Sequence, residues 1–237
     1  MKNKLREVIR FLVLWYHKVL FSSDYKRIVN LLEPNFFLLK KINLGKVGDG
    51  TYILPSNFIN NNTTLISLGI ADDTSFEEDF LHNFPNSIVY AFDPSINFLP
   101  KENNRIIFES KGVAGIFSSK KEYITLESIL NKLPNKTTDI ILKMDIEGWE
   151  WGIFEKTNLN KYNIPVIVIE FHFTTMNSFY EWLFFPYFFY IRYKTLKKVL
   201  NKYYIMHMHA NNYGYTFFDN FTFPWLCEMT LIKKDSF

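Results

Sequence analysis

The sequence predicts an α/β fold built on a mostly parallel sheet, and three observations carry that reading. Strand-like and helix-like stretches alternate along most of the chain, the pattern of strands joined by helical crossovers. Two stretches, Asp139–Asp145 and Pro165–His172, are near-continuous apolar runs, as strands covered on both faces require. No internal repeat or long linker interrupts the 237 residues, a length at which one domain buries a large core.

Each element follows from local sequence. Leu5–Phe21 reads as a basic amphipathic helix whose uninterrupted apolar run, Phe11–Tyr16, is far shorter than the ~20 residues of a membrane span. Lys18 follows that run closely and no small-residue cleavage site appears, so it does not read as a signal peptide. This helix either packs on the body or lies in a membrane interface through Phe11, Leu12 and Trp15. Lys46–Pro55 is a turn, favoured by Asp-Gly, followed by a short strand. Thr64–Gly69 is a buried strand, and the acidic run Ser75–Phe80 begins a helix. Ser87–Asp93, stopped by Pro94, and Arg105–Phe108 are further strands, and Thr125–Lys132 is helical. After the two apolar strands come a Lys-rich helix, Lys194–Lys202, and the strands Tyr203–His209 and Cys227–Ile232. The division expected is an N-terminal helical extension, 1–41, and one domain, 42–237.

Composition narrows the function. With Cys227 the only cysteine, no internal disulfide or cysteine-based zinc site can form, which fits a cytoplasmic protein. The formal charge of +3 is unevenly spread: residues 1–46 carry a net +7 and the remainder a net −4. A mildly acidic body argues against nucleic acid as a partner. It leaves a basic head suited to the inner face of a membrane.

Open α/β sheets bind ligands beyond the carboxyl ends of their strands, so those ends hold the candidate residues. The first strand runs into Ser67-Leu-Gly-Ile-Ala-Asp-Asp73, where Gly69 lets backbone approach a ligand. This is not a dinucleotide fingerprint. Asp93, at the end of the next strand, suits the two hydroxyls of a ribose, or else caps the turn before Pro94. Leu142-Lys-Met-Asp-Ile-Glu-Gly-Trp-Glu150 sets Asp145 and Glu147 where another strand runs out. Carboxylates and a lysine there mark a cleft, unless Lys143 is only an ion-pair partner at a sheet edge.

In order along the chain, Gly48-Asp-Gly-Thr-Tyr-Ile-Leu-Pro55, Ser67–Asp73, Ala91-Phe-Asp-Pro94, Leu142–Gly148, Ile169-Glu-Phe-His172 and His207-Met-His-Ala-Asn-Asn212 resemble the motifs of the FkbM-type methyltransferases over roughly residues 42–233. Thr51 stands where that pattern usually has glycine, and Ala71 where a second glycine is often found. The resemblance implies a Rossmann-like class I sheet of about seven strands flanked by helices, S-adenosylmethionine (SAM) as cofactor, and methylation of a hydroxyl. It also implies roles. Gly69 and Ile70, with Asp73 beside them, would line the methionine part of SAM, Asp93 would hold the ribose, and Gly112 and Val113 would flank the adenine. Asp145 and Glu147 would face the methyl group and the acceptor. Asp49, Tyr52, Glu170, His207, Asn211 and Asn212 would contact a sugar or small-molecule acceptor.

A hydroxyl is a poor acid, so a base or a metal is needed. Glu-x-His and His-x-His place both side chains on one face of a strand. Either His172 or His209 is the base, with Asp145 catalytic beside it, or Asp145, Glu170 and His172 hold a divalent cation, or the histidines are structural. Aromatic side chains gather in Asn177–Tyr193 and Tyr213–Trp225. They would form an acceptor lid over the ligand end of the sheet, a dimer or membrane surface, or core. The reading is an O-methyltransferase for a glycan or glycolipid precursor. Its alternatives are a methyltransferase for a small non-sugar metabolite and a non-catalytic SAM-fold module with an aromatic partner surface.

Overall fold

The computed structural model describes residues 22–35, 38–46, 48, 51–115, 122–134, 139–173, 185–211 and 214–236. In chain order the strands are β1 (Lys41–Leu44), β2 (Tyr52–Pro55), β3 (Thr64–Leu68), β4 (Ile88–Phe92), β5 (Ile106–Glu109), β6 (Gly112–Ala114), β7 (Tyr123–Thr125), β8 (Ile140–Met144), β9 (Val166–His172), β10 (Tyr203–Ala210), β11 (Tyr215–Phe217), β12 (Thr222–Pro224) and β13 (Leu226–Lys233). The helices are α1 (residues 22–29), α2 (Ser75–Asn83), α3 (Leu126–Lys132), α4 (Glu150–Lys156) and α5 (Phe185–Leu200).

Of the eight stretches expected as strands, seven form the main sheet, in the order β10-β13-β9-β8-β3-β4-β5, and the eighth, within Lys46–Pro55, is β2, which pairs with β1. Its strands run parallel except β13, which is antiparallel to both neighbours, β9 and β10. The chain winds outward from β3 through β4 and β5, then resumes on the other side with β8 and β9. The switch point therefore lies between β3 and β8, where such sheets open a crevice.

Alternation along the strands sends side chains to two apolar layers. Leu65, Val89, Ile141 and Val168 pack with Phe76 and Phe80 of α2 and with Leu54 of the β1–β2 hairpin. Ile66, Leu142, Ile167 and Ile169 pack against α1, α3, α4 and α5 on the other face. Doubly covered strands explain why the central segments read as continuous apolar runs. Thr125 caps α3 by accepting the Ser128 N–H, so the expected helix starts one residue later than its first residue.

Three expectations change here. The Lys-rich helix is the end of a longer one, α5, which also carries Pro186. In the second aromatic run one ring is core, Phe218 and Phe221 pack partly buried against that core, and Phe217 is exposed. Phe223 is fully buried against Tyr25, Phe173 and Phe189, and Phe218 and Phe221 stack beside it. In the first run Tyr187, Phe188 and Tyr190 are exposed. Lys143 does not lie at a sheet edge, since β8 sits between β3 and β9. The expected helix Leu5–Phe21 lies outside the described residues. Among those described, no helix is long and apolar enough to cross a membrane.

Candidate active site

The site forms where β3, β4, β8 and β9 end. After β3 the chain turns at Gly69 (φ 81°) and Ala71 (φ 45°), and the turn is tied to the neighbouring strands. The Gly69 N–H donates to the Phe92 carbonyl, and the Asp145 N–H donates to the Leu68 carbonyl. One oxygen of Asp93 accepts the N–H groups of Ile70 and Ala71 at 2.9 and 2.8 Å. Its other oxygen accepts the N–H and hydroxyl of Ser95 at 2.7 and 2.6 Å. Burial would raise the Asp93 pKa, but these four hydrogen bonds hold it below the usual carboxylate value. The Asp93 carboxylate thus fixes the β3 turn itself and holds the Ser95 hydroxyl, a side-chain donor that a ligand hydroxyl could replace. Asp73 accepts the Ser75 N–H, which lowers its pKa and starts α2. Gly112 and Val113 lie in β6, where a Cβ on Gly112 would meet the Tyr123 ring at 2.4 Å.

Beyond β8, Glu147 (φ 55°) and Gly148 (φ 99°) turn the chain sharply into α4. Glu147 is 86% exposed yet left-handed, a conformation that costs a non-glycine residue about 1–2 kcal/mol. Strain of this kind at a strand end favours a functional role for the carboxylate. We expect Glu147→Gly to stabilise the protein by about 1 kcal/mol. A denaturant midpoint that does not rise would show the turn to be unstrained.

His172, at the end of β9, is 3% exposed. Its Nδ1 lies 2.8 Å from Glu150 Oε1, and its Nε2 lies 3.3 Å from Glu170 and 3.5 Å from Glu147. Asp145 joins the group: a ligand atom from each of Asp145, Glu147 and His172 fits within 4.8 Å. Asp145 accepts the Tyr52 hydroxyl at 3.2 Å, and Asn211 donates to Glu170 at 2.9 Å. Glu228 stands opposite Glu170 on β13. Burial and the Asp145 charge push the phenol of Tyr52 well above its normal pKa. Burial, then Asp145, raises Glu170 to about 7. Burial alone would lower His172, but the hydrogen bond and charge of Glu150, with Glu170 and Asp145, raise it to about 9.

Both shifts mean that the folded protein holds protons the unfolded chain releases. Stability therefore falls as pH rises, through 4.5–7 for Glu170 and 6.5–9 for His172. The His172 contribution is present below pH 6.5 and is lost as pH rises through about 9. Denaturation of the wild type and of His172→Asn across pH 6–10 should show the slope above 6.5 flattened in the variant. An unchanged slope would place the titrating group elsewhere.

His207 and His209 are not part of this group. They lie on β10, an edge strand of the main sheet, and His209 aligns with Glu228 and through it with Glu170, two strand spacings or about 10 Å away. Burial, then Lys41, lowers the His207 pKa. Asp49 and Asn212 lie outside the described residues. Sequence reasoning missed Glu150, Glu77 and Glu228, all buried. The available signal for Glu150 was its spacing, three residues past Glu147 at the start of a helix.

The profile described as the Methyltransferase FkbM domain matches residues 24–215. No curated protein sequence matches the chain. Similar solved structures include a fibrillarin/Nop5p complex (12% identity, 74% of each chain, TM-score 0.43). An rRNA methylase from Streptococcus thermophilus is 11% identical over 75% of this chain and 90% of its own, with TM-score 0.39. The precorrin-6y C5,15-methyltransferase of Geobacter metallireducens GS-15 is 11% identical over 74% of this chain and 83% of its own, with TM-score 0.41.

Proposed function

The chain belongs to the FkbM methyltransferase family, a family of SAM-dependent enzymes, and from that premise we propose that it methylates a hydroxyl of a sugar, glycan or glycolipid precursor. The observation that carries the hydroxyl reading is the carboxylate–histidine group at the ends of β8 and β9. Methylating a hydroxyl requires removal of a proton from a poor acid, and this group is built to take one.

The donor set fits SAM. Asp93, held ionised, and the Ser95 hydroxyl suit a ribose diol. Gly69 and Ile70 would line the methionine part, and Gly112 and Val113 the adenine. SAM when bound supplies an activated methyl group with its own leaving group. The acidic residues Asp145, Glu147 and Glu170 would favour its positive sulfonium over the neutral product. Asp145, Tyr52, Glu170 and Asn211 would orient the acceptor oxygen, and Asp49, His207 and Asn212 would contact the acceptor farther out.

At neutral pH His172 carries a proton, so the proton acceptor is a carboxylate facing it. Glu170, with a pKa of about 7, is best matched to that task. A second reading has a divalent cation, held by Asp145, Glu147 and His172, take the place of that proton. It is favoured by the closeness of their ligand atoms, and inhibition by EDTA, reversed by added metal, distinguishes it.

We also propose the domain limits 1–41 and 42–237, a cytoplasmic site of action at the inner face of the membrane, and self-association through the exposed aromatics of α5. The +7 head supports the membrane contact, which salt and carbonate washes of a membrane fraction test. Mass spectrometry of surface glycans from a deletion strain tests the main reading. Loss of one methyl group from a glycan is expected. Unchanged glycans alongside a small metabolite lacking a methyl group would move the acceptor to that class.

A further inference from the structure

We propose that Glu150 is a positioning residue of this site, one carboxylate that locks His172 and the Ile146–Gly148 turn into a single unit so that Nε2 of His172 faces the cleft. The proposal rests on the methyltransferase reading above and deepens it. Glu150 is fully buried at the first position of α4. Its Oε1 accepts the Gly148 N–H at 3.1 Å and the Ile146 N–H at 3.3 Å, and it lies 2.8 Å from His172 Nδ1. An oxygen that accepts two backbone donors acts as an acceptor toward the ring as well, so Nδ1 carries a proton.

The next residue grips the same histidine from behind, as the Trp151 indole donates to the His172 carbonyl at 2.8 Å. The first two residues of α4 therefore hold His172 by ring and by backbone. Only Nε2 is left toward Glu170 and Glu147. The same oxygen anchors the turn that carries Asp145 and the left-handed Glu147. Removing it would free both halves of the group at once. A carboxylate behind a histidine fixes its tautomer and ring orientation, here how Nε2 faces Glu170, the proton acceptor, an effect that a neutral amide reproduces poorly.

The test compares wild type, Glu150→Gln and Glu150→Ala for tritium transfer from methyl-labelled SAM to an extract of cells lacking the gene. Proton NMR runs beside it. Glu150→Gln should fold, bind SAM within about threefold of wild type by calorimetry, and lose on the order of 10- to 100-fold in transfer rate. A low-field ring N–H signal should be present in wild type, absent in His172→Asn and moved upfield in Glu150→Gln. Full transfer by Glu150→Gln, or a wild-type spectrum without a signal that His172→Asn removes, overturns the proposal. If the wild type transfers no label, the acceptor reading fails while the N–H signal still decides the role of Glu150.

Discussion

Gly69→Ala is expected to cost roughly 4 kcal/mol of stability, or to prevent folding, and to abolish SAM binding in any folded protein that remains. Two separate penalties add. At φ 81° an L-residue is strained by about 1–2 kcal/mol. An alanine Cβ would also fall 1.7 Å from the Asp145 carbonyl oxygen and 2.8 Å from its carbon. Both are backbone atoms, so no rotamer change relieves the clash, and overpacking of this kind typically costs about 1–3 kcal/mol. Relief requires the end of β3 to move away from β8, which breaks the Asp145–Leu68 backbone bond and shifts the turn that Asp93 secures. Gly152→Ala is the control. It lies inside α4 with its nearest atoms at 3.9 Å, so alanine there should be neutral or stabilising by about 0.5–1 kcal/mol. Denaturant titration and SAM calorimetry on the two variants check this. A Gly69→Ala protein within 1 kcal/mol of wild type would contradict the close approach.

The contrast between those two glycines also marks how far sequence could reach. The central sheet strands were legible because burial on both faces writes long apolar runs, as in Ile140–Met144 and Val166–His172. Among strands of three or four residues, too few to show a period, β2 was marked by its Asp-Gly turn and β5 by its apolar Ile-Ile-Phe, while β1, β6, β7, β11 and β12 carried no such signal. Within the site, Asp145, Glu147, Glu170 and His172 stood out as charged residues at the ends of apolar strands, and the fold brings them together. Their order in space was hidden. Whether His172 or His209 joins Asp145 depends on β13 inserting between β9 and β10, a long-range pairing that no local pattern encodes. Glu150 and Glu77 were passed over for a related reason. On a helix an acid usually faces water, and only the packing of α4 and α2 against the sheet turns these two inward.

Lys143→Met should destabilise the protein by about 3–5 kcal/mol, the usual cost of leaving half of a buried ion pair. Lys143 and Glu77 are 7% and 0% exposed and lie 3.4 Å apart. The Glu77 oxygen facing the lysine also accepts the Ser67 hydroxyl at 2.5 Å, and among the described residues its other oxygen has no hydrogen-bond partner. Methionine matches the length of lysine but strands the Glu77 charge. It also removes the donor, at 2.9 Å, of the Gly69 carbonyl, so SAM affinity should fall with stability. Glu77→Leu combined with Lys143→Met removes both charges and fills the space with apolar atoms, a replacement that is often neutral for a buried pair. The double variant should therefore recover most of the lost stability but not the SAM affinity, because the Gly69 carbonyl still lacks its donor. The two readouts thus separate the ion pair from the contact with the Gly69 turn. Additive stability losses would mean that Lys143 and Glu77 act independently. Restored SAM binding in the double variant would mean that the Lys143–Gly69 contact is incidental, and that the lysine serves only to neutralise Glu77.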